Sequence, residues 1–476
     1  MHNVSTATFR AGSLVYSRRT LTLLFVWLLW GDFCYQLMEN VVPSILPLKF
    51  KQLGASNTLV GIILNAIPMG MMMALNPVIS VKSDRFRSRW GRRIPFILCT
   101  LPMLVGCLIL LAYGDAIGPW LHAKLGGRTS LSATSLSLGV IALAMVLFSF
   151  FNTFVNSVFW YLFNDVVPER MLARFMSWLR IVTLTSVALY NVFVFRYAET
   201  HARTIIVNAA LLYLVGFGLM CLNVKEGEYP PPSAVAKRGV GSAIRSYITE
   251  CHGLAHYRYI FLIGIGWGCV SASNTFMLYF HQSTGLTLER IGYLRGTQNI
   301  AVALMVLITG PLADRYHPIR VLIAGVLLQV CLALPLSLVW VVWSPSPDAS
   351  FAIWLCITLG VIAPAAAMIT VLDPPLLMRI FPRQNYGQFC SANAFWRSAA
   401  TIACGVLAGV YFDLLRQRLG DDLSYRTLPF FQMGAFAIIL WALFKLYRSW
   451  KRYGGDLAYA APTVTALGEP TLPASR

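Results

Sequence analysis

In the stretch GDFCYQLMENVVPSILPLKFKQLG, Asp32, Tyr35, Gln36 and Glu39 fall at i, i+3, i+4 and i+7, and Pro43 follows at i+11. On a helix this spacing draws one polar stripe down an apolar cylinder. Two carboxylates so placed lie about 10 Å apart along the axis. An ionisable group inside an apolar run is costly, and marks an ion path, a proton relay or a buried pair. Desolvation disfavours the charged form of a carboxylate, which suits proton exchange, whereas a metal cation asks for several clustered oxygens. Asp32 and Glu39 are therefore the candidate proton-coupling residues. The competing reading makes each a structural partner of an arginine.

Other apolar runs carry similar stripes. Ser149, Asn152, Asn156 and Trp160 fall at i, i+3, i+7 and i+11, and Trp267, Ser271, Asn274 and His281 follow one face of a later run. Arg295, Gln298 and Asn299 cluster in a third run, and Asn393, Trp396 and Arg397 in a fourth. Amides offer paired donors and acceptors, and a flat indole packs on the C–H face of a sugar ring. With Tyr35 and Gln36, these groups suit a cavity for a polyhydroxylated solute. The alternative for each is a hydrogen bond from helix to helix. Arg295 and Arg397 have three readings: binding substrate, pairing with Asp32 or Glu39, or snorkelling to an interface. Arg180 is a third arginine within a run, and His281 reads as an interface histidine.

The elements that must position these residues follow from composition. Hydrophobic residues make up 57% of the 476, charged residues 12%, and mean hydropathy is +0.65. A soluble domain carries roughly 25% charge. Apolar runs predict spans at about 20–43, 57–81, 94–113, 134–164, 174–195, 204–222, 259–281, 291–311, 319–341, 351–372, 386–412 and 428–447, each near the ~20 residues that cross a bilayer. Backbone groups in lipid must be satisfied within the segment, so the spans are helices, and the alternation of a membrane barrel is missing. The predicted class is an all-α polytopic membrane protein. The first run is too long for a signal peptide and contains Asp32 and Glu39, so it reads as a retained span. The ten cysteines are scattered without ligand-like spacing and read as small buried residues.

SDRFRSRWGRR, residues 83–93, packs five arginines between two apolar runs. If this loop is cytoplasmic and the spans alternate, inner segments hold about 24 Lys and Arg against about 10 outside, and both termini lie inside. The net charge of +19 is then topological, and no nucleic-acid motif accompanies it. EYPPPSAVAKRG, inside 223–258, reads as a linker between two six-span halves. The halves echo each other: Asp84-Arg85 and Asp314-Arg315 each follow a second span, and ARFMS and GQFCS each open a fifth. The division read from this is an N-terminal half at 1–222, the linker at 223–258, a C-terminal half at 259–448 and a disordered cytoplasmic tail at 449–476. A short interfacial segment is read near AIRSYITECHGLAHYRY.

The loop resembles the signature of the major facilitator superfamily, with Asp84, Arg85, Gly91, Arg92 and Arg93 matching, and with Asp314 and Arg315 in the second copy, which lacks Gly-Arg-Arg. Ser80 stands where the family has its leading glycine. The resemblance implies a major facilitator fold of two six-helix halves, and a gate latch in which these charges tie helix ends together. Charge-assisted bonds of that kind are worth about 1.5–3 kcal/mol each, enough to bias two states without locking either. More narrowly, PVISVKSDRFRSRWGRRIPFIL and YLFNDVVPERMLARF resemble sucrose carriers, close to the glycoside–pentoside–hexuronide cation symporters. Melibiose-type relatives hold a cation with acids in the second and fourth spans, which these spans lack.

The expected function is a secondary active transporter, a proton-coupled symporter of a sugar or glycoside working by alternating access. No cofactor is expected, and sodium is the alternative coupling ion. The alternatives are a carrier or exporter of another solute in the same fold, a transporter-like receptor, or a membrane enzyme, for which no HExxH, GxSxG or metal cluster is present. The expected partners are a small-molecule substrate and the lipid bilayer, with no nucleic acid; the sequence leaves the oligomeric state open, a monomer being one option. The expected location is a bacterial inner membrane.

Overall fold

A computed structural model describes residues 9–11, 13–125, 130–227, 251–382, 386–464 and 470–471. Among these, twelve helices are long and apolar enough to cross a membrane. Spans 1–6 are Arg18–Gln52, Asn57–Asn76, Ile94–Leu125, Ala133–Phe163, Arg174–Tyr197 and Ala202–Asn223. Spans 7–12 are Ala255–Ser283, Leu288–Thr309, Pro318–Val342, Pro347–Thr370, Gln388–Leu419 and Asp421–Arg452. Short side chains open several of them. Ser17, Ser132, Thr287 and Ser346 each accept a backbone N–H three residues on, at the starts of spans 1, 4, 8 and 10. Each satisfies one of the donors that a helix N-terminus leaves orphaned.

Several helices run past the ends set by hydropathy. Span 1 continues nine residues beyond the predicted 43, and so takes in Lys49. That lysine is buried at the far end of the helix, where its Nζ donates to the carbonyls of Leu111 and Ala112 and lies 3.4 Å from Asp115. Span 3 takes in Asp115 and span 11 takes in Asp413, so Asp32 and Glu39 are not the only acids within spanning helices. Partnered charges let a helix extend where hydropathy alone predicts a stop.

Among the described residues, turns of π-helix interrupt five places: Ile62–Ala66, Tyr190–Val194, Tyr213–Phe217, Gln329–Ala333 and Thr358–Ile362. Three of them end two residues before a proline: Pro68, Pro335 and Pro364. Proline has no N–H to give the carbonyl four residues back, so the local ladder widens by one residue. Pro43, Pro47, Pro102 and Pro119 are carried inside helices without such a turn.

The helices form two compact units, Met1–Ser56 with Ile67–Ala234, and Asn57–Ala66 with Val235–Arg476. In the first, span 1 packs on spans 5 and 6, span 3 on spans 4 and 6, and the inner part of span 2 on span 4. Its core is a run of rings: Tyr35, Phe159, Phe163, Phe175, Tyr213 and Phe217. In the second, span 7 packs on spans 11 and 12, and span 10 on spans 8 and 9. Tyr257, Trp267, Phe389, Phe436 and Trp450 anchor that core.

Residues 228–250 lie outside the described residues, and with them most of the predicted linker and its interfacial segment. The predicted tail is not loose throughout. Span 12 reaches Arg452, Tyr459 Oη donates to the carbonyl of Ile380, and the carbonyl of Pro462 accepts from Tyr257 Oη. An aromatic residue with a polar tip finds buried partners there, which hydropathy does not register.

Candidate functional site

In the first unit the stripe on span 1 meets spans 4 and 5. Asp32 is fully buried. Its Oδ1 accepts from Gln36 Nε2 at 3.3 Å, and its Oδ2 accepts from Thr183 Oγ1 at 2.8 Å. Two turns on, Asn152 Nδ2 donates to Glu39 Oε1 at 2.7 Å. Thus both acids are held by neutral donors, and among the described residues neither forms an ion pair. Arg180 acts on Asp32 only through space. Three buried polar atoms nearby, Tyr35 Oη, Tyr213 Oη and Asn152 Oδ1, have no protein partner. Tyr35 packs against Tyr213, Phe159 and Phe217, with ring centroids 5.5–6.3 Å apart. Asn156 is half-buried and Trp160 exposed, on the same helix as Asn152. The sequence stripe therefore becomes one polar layer lined by spans 1, 4 and 5.

The second unit treats its predicted residues differently. Arg397 pairs with Asp373 on the span 10 helix, Nη1 to Oδ2 at 3.3 Å. Of the three readings of Arg397, an ion pair is present, but with Asp373 rather than Asp32 or Glu39. Asp373 lies one residue past the predicted end of span 10, so hydropathy discounted it. Trp396 Nε1 donates to His252 Nε2 at 2.8 Å, which ties span 11 to the chain just before span 7. Trp267 is buried, edge-on to Phe436 at 5.9 Å, and its Nε1 is unpartnered. Asn274 accepts from Gln432 Nε2 at 3.1 Å and serves to join helices. Asn393 is buried with Oδ1 unpartnered, and a β-carbon at Gly264 would stand 2.4 Å from that oxygen. Arg295 and Gln298 are half-buried on span 8. His281 lies edge-on to Trp354, ring centroids 5.0 Å apart.

At the arginine-rich end of the first unit, Arg92 reaches Asp165 with Nε and Nη2 at 3.1 and 2.6 Å, and Arg93 Nε reaches the same carboxylate at 3.1 Å. A forked guanidinium on a carboxylate is the strong form of this bond. Arg93 Nη1 also donates to Ser83, at 2.5 Å. Glu226, just past span 6, accepts the backbone N–H of Arg92, Arg93 and Ile94 at 2.7–3.0 Å, and so caps span 3 from another part of the chain. Gly91 turns the loop with φ +101°, and a β-carbon there would stand 2.4 Å from the Glu226 carboxyl carbon. Only glycine fits both demands. The side chains of Asp84, Arg85 and Asp314 lie outside the described residues, and Arg315 is exposed.

Sequence reasoning missed Asp165, Glu226, Asp373 and His252. Asp165 sits in the YLFNDVVPERMLARF stretch, and its place at the end of span 4 was the available signal. Glu226 had none, because its partner is backbone.

The backbone is similar to a bacterial homologue of the iron transporter ferroportin in an inward-facing state, at TM-score 0.63 and 16% identity, covering 90% of this chain and 98% of that one. It is similar to a mutant of the nucleoside transporter NupG, at 0.62 and 12%, covering 90% and 100%. The xylose transporter XylE from E. coli, in an inward open conformation, gives 0.54 and 14%, covering 89% and 95%. At such identities the likeness is one of fold. No curated protein matches the chain in sequence. The sequence model of the Major Facilitator Superfamily matches residues 28–405. Taken with the twelve spans, that match makes the chain a member of the Major Facilitator Superfamily of membrane transporters.

Proposed function

We propose that the chain is a proton-coupled symporter of a sugar or glycoside, working by alternating access in a bacterial inner membrane with both termini cytoplasmic. The observation that carries this reading is the layer on spans 1, 4 and 5, where Asp32 and Glu39 are held by Gln36, Thr183 and Asn152 without an ion pair. A carboxylate clamped by arginine would resist protonation; one held by amides and a hydroxyl can take up a proton without breaking a charge pair. Asn152 supports both states of Glu39. Its amide N–H serves the carboxylate, and its unpartnered oxygen can accept from the acid when the amide turns over. Asn156, Gln36 and the exposed Trp160 supply amide and indole faces for a hydroxylated ring.

The test is uptake into sealed vesicles with an imposed pH gradient, over a panel of sugars, glycosides and nucleosides. Asp32→Asn and Glu39→Gln mimic the protonated acids. The coupling acid's variant should still exchange substrate down its gradient, but should lose at least roughly tenfold in accumulation when only the pH gradient drives it. Accumulation retained by both variants removes the proton from this layer. Uptake of nucleosides alone from the panel would move the substrate class.

A further inference from the structure

Span 12 closes on LWALFKLYRSWKR, residues 440–452. Leu443, Leu446 and Trp450 are buried against the second unit. Trp441, Phe444, Arg448, Lys451 and Arg452 are exposed, and fall at i, i+3, i+7, i+10 and i+11 on the opposite face. Along that face the rings come first and the cations follow, over the last turns of the helix. A bilayer presents hydrocarbon and then phosphate in the same order.

Aromatic rings gather the cations. Lys445 Nζ lies 5.8 Å from the centroid of the Trp441 ring, and Lys451 Nζ lies 4.8 Å from that of Tyr447. Arg320, in the first turn of span 9, brings its guanidinium 5.9 Å from the Tyr447 ring and 5.8 Å from the Trp450 ring. Lys451 and Arg320 thus share one ring. Like charges so close repel, and an anion beside both relieves that repulsion. Among the described residues, Arg320, Lys445, Arg448, Lys451 and Arg452 form one ion pair, that of Arg320 with Asp456. The other end of span 12 is of opposite character: Asp421 and Asp422 open it, and Asp421 pairs with Arg416 of span 11. Cations suit the dipole at a helix C-terminus, but the dipole does not draw in Arg320 from another helix.

We propose that Arg448 and Lys451 of span 12, with Arg320 of span 9, bind the headgroup of an anionic phospholipid whose acyl chain lies along Phe444 and Trp441. A guanidinium fork matches two phosphate oxygens, and the lysine adds a point charge. Each Lys or Arg beside an anionic headgroup is worth about 1 kcal/mol, a factor of roughly five in affinity. Exposed rings on the same face favour a lipid over a soluble phosphate, which has no chain to cover them. The site lies wholly within the second unit, at one end of spans 9 and 12, and requires neither a particular cargo nor a particular coupling ion.

The test uses the purified full chain in lipid-free detergent, titrated with phosphatidylglycerol, phosphatidylcholine or glycerol phosphate, the first bound molecule being read by native mass spectrometry. Phosphatidylglycerol should bind at least roughly tenfold more tightly than phosphatidylcholine. Arg448→Gln and Lys451→Gln should each weaken phosphatidylglycerol roughly fivefold, and together roughly twentyfold, with phosphatidylcholine unchanged. Arg418→Gln, exposed at the other membrane face, should change none of the three. Both substituted side chains are exposed, so melting without lipid should match the parent; if the double variant melts lower, the single variants decide. Equal binding of the two phospholipids overturns the site, as does unchanged phosphatidylglycerol binding in the variants. An equal loss in Arg418→Gln would mean attraction by total charge, and overturns it too. Glycerol phosphate bound as tightly as phosphatidylglycerol would make the occupant a soluble phosphate, and the lipid site fails.

Discussion

His317 has φ +67°, which among the described residues no other non-glycine residue matches in sign. It joins the long helix of span 8 to span 9, and its Nδ1 accepts the backbone N–H of Ile319 at 3.3 Å. The ring lies on Trp450, with centroids 4.4 Å apart. Burial, and then the Arg379 charge, lower its pKa from 6.5 to about 4; Arg320 acts in the same sense and Asp456 against it. The unfolded chain thus binds a proton near pH 6.5 that the folded chain refuses until about pH 4. Stability from this site is complete above pH 6.5 and falls as pH drops through that window. Thermal unfolding measured from pH 7 to pH 4 should show that loss, and His317→Asn should flatten it, since asparagine tolerates the left-handed backbone and has no proton to gain. His317→Ala should cost about 1–2 kcal/mol at pH 7 by straining φ and orphaning the Ile319 N–H. Residue type and spacing made Asp32, Glu39 and Asn152 legible, because a polar stripe on an apolar helix has few uses. Their opposites, Thr183 for Asp32 and Asp165 for the arginine pair, depend on which helices become neighbours, and one sequence does not state that.

Whole elements were legible where a long apolar run defined them, and less so at their ends. The runs ignored Lys49, Asp115 and Asp373 because hydropathy scores a charge without its partner. The chain after span 12 shows the same limit. Tyr459 Oη reaches both the Ile380 carbonyl at 2.9 Å and His256 Nε2 at 3.0 Å, while Tyr257 Oη reaches Pro462. Arg320 pairs with Asp456 on the same segment. These contacts strap the chain after span 12 to the ends of spans 7, 9 and 10. Tyr459→Phe keeps the ring and deletes the hydroxyl, leaving the Ile380 carbonyl and the His256 ring nitrogen short of a partner. It should destabilise the protein by about 1–3 kcal/mol in detergent unfolding, whereas a change at exposed Lys451 should stay within about 0.5 kcal/mol. Equal effects of the two would mean the strap contributes nothing.

At the scale of the molecule, charge and packing divide the arginines of residues 83–93 between two tasks. Arg87 and Arg89 are exposed, whereas Arg92 and Arg93 converge on Asp165. On the proposed orientation the first pair adds to the inner total of Lys and Arg; the second holds span 3 to the end of span 4. The two tasks separate experimentally. On the proposed orientation, about 24 Lys and Arg lie inside against about 10 outside, so losing two should change little. In a cysteine-free background, an impermeant maleimide added to intact cells should label Ser130→Cys, and should label Ser88→Cys only after permeabilisation. Both Arg87→Gln with Arg89→Gln and Arg92→Gln with Arg93→Gln should keep that pattern. Only the second pair should lower the melting temperature, because it leaves the Asp165 carboxylate half-buried without its guanidinium partners, a loss of about 3–5 kcal/mol if the pair is fully desolvated and less in proportion to its exposure. Labelling of Ser88→Cys in intact cells would reverse the orientation, and with it the side on which the Asp165 tie operates. A melting temperature that fell equally for both pairs would instead make the loop one electrostatic unit, with no distinct tie at Asp165.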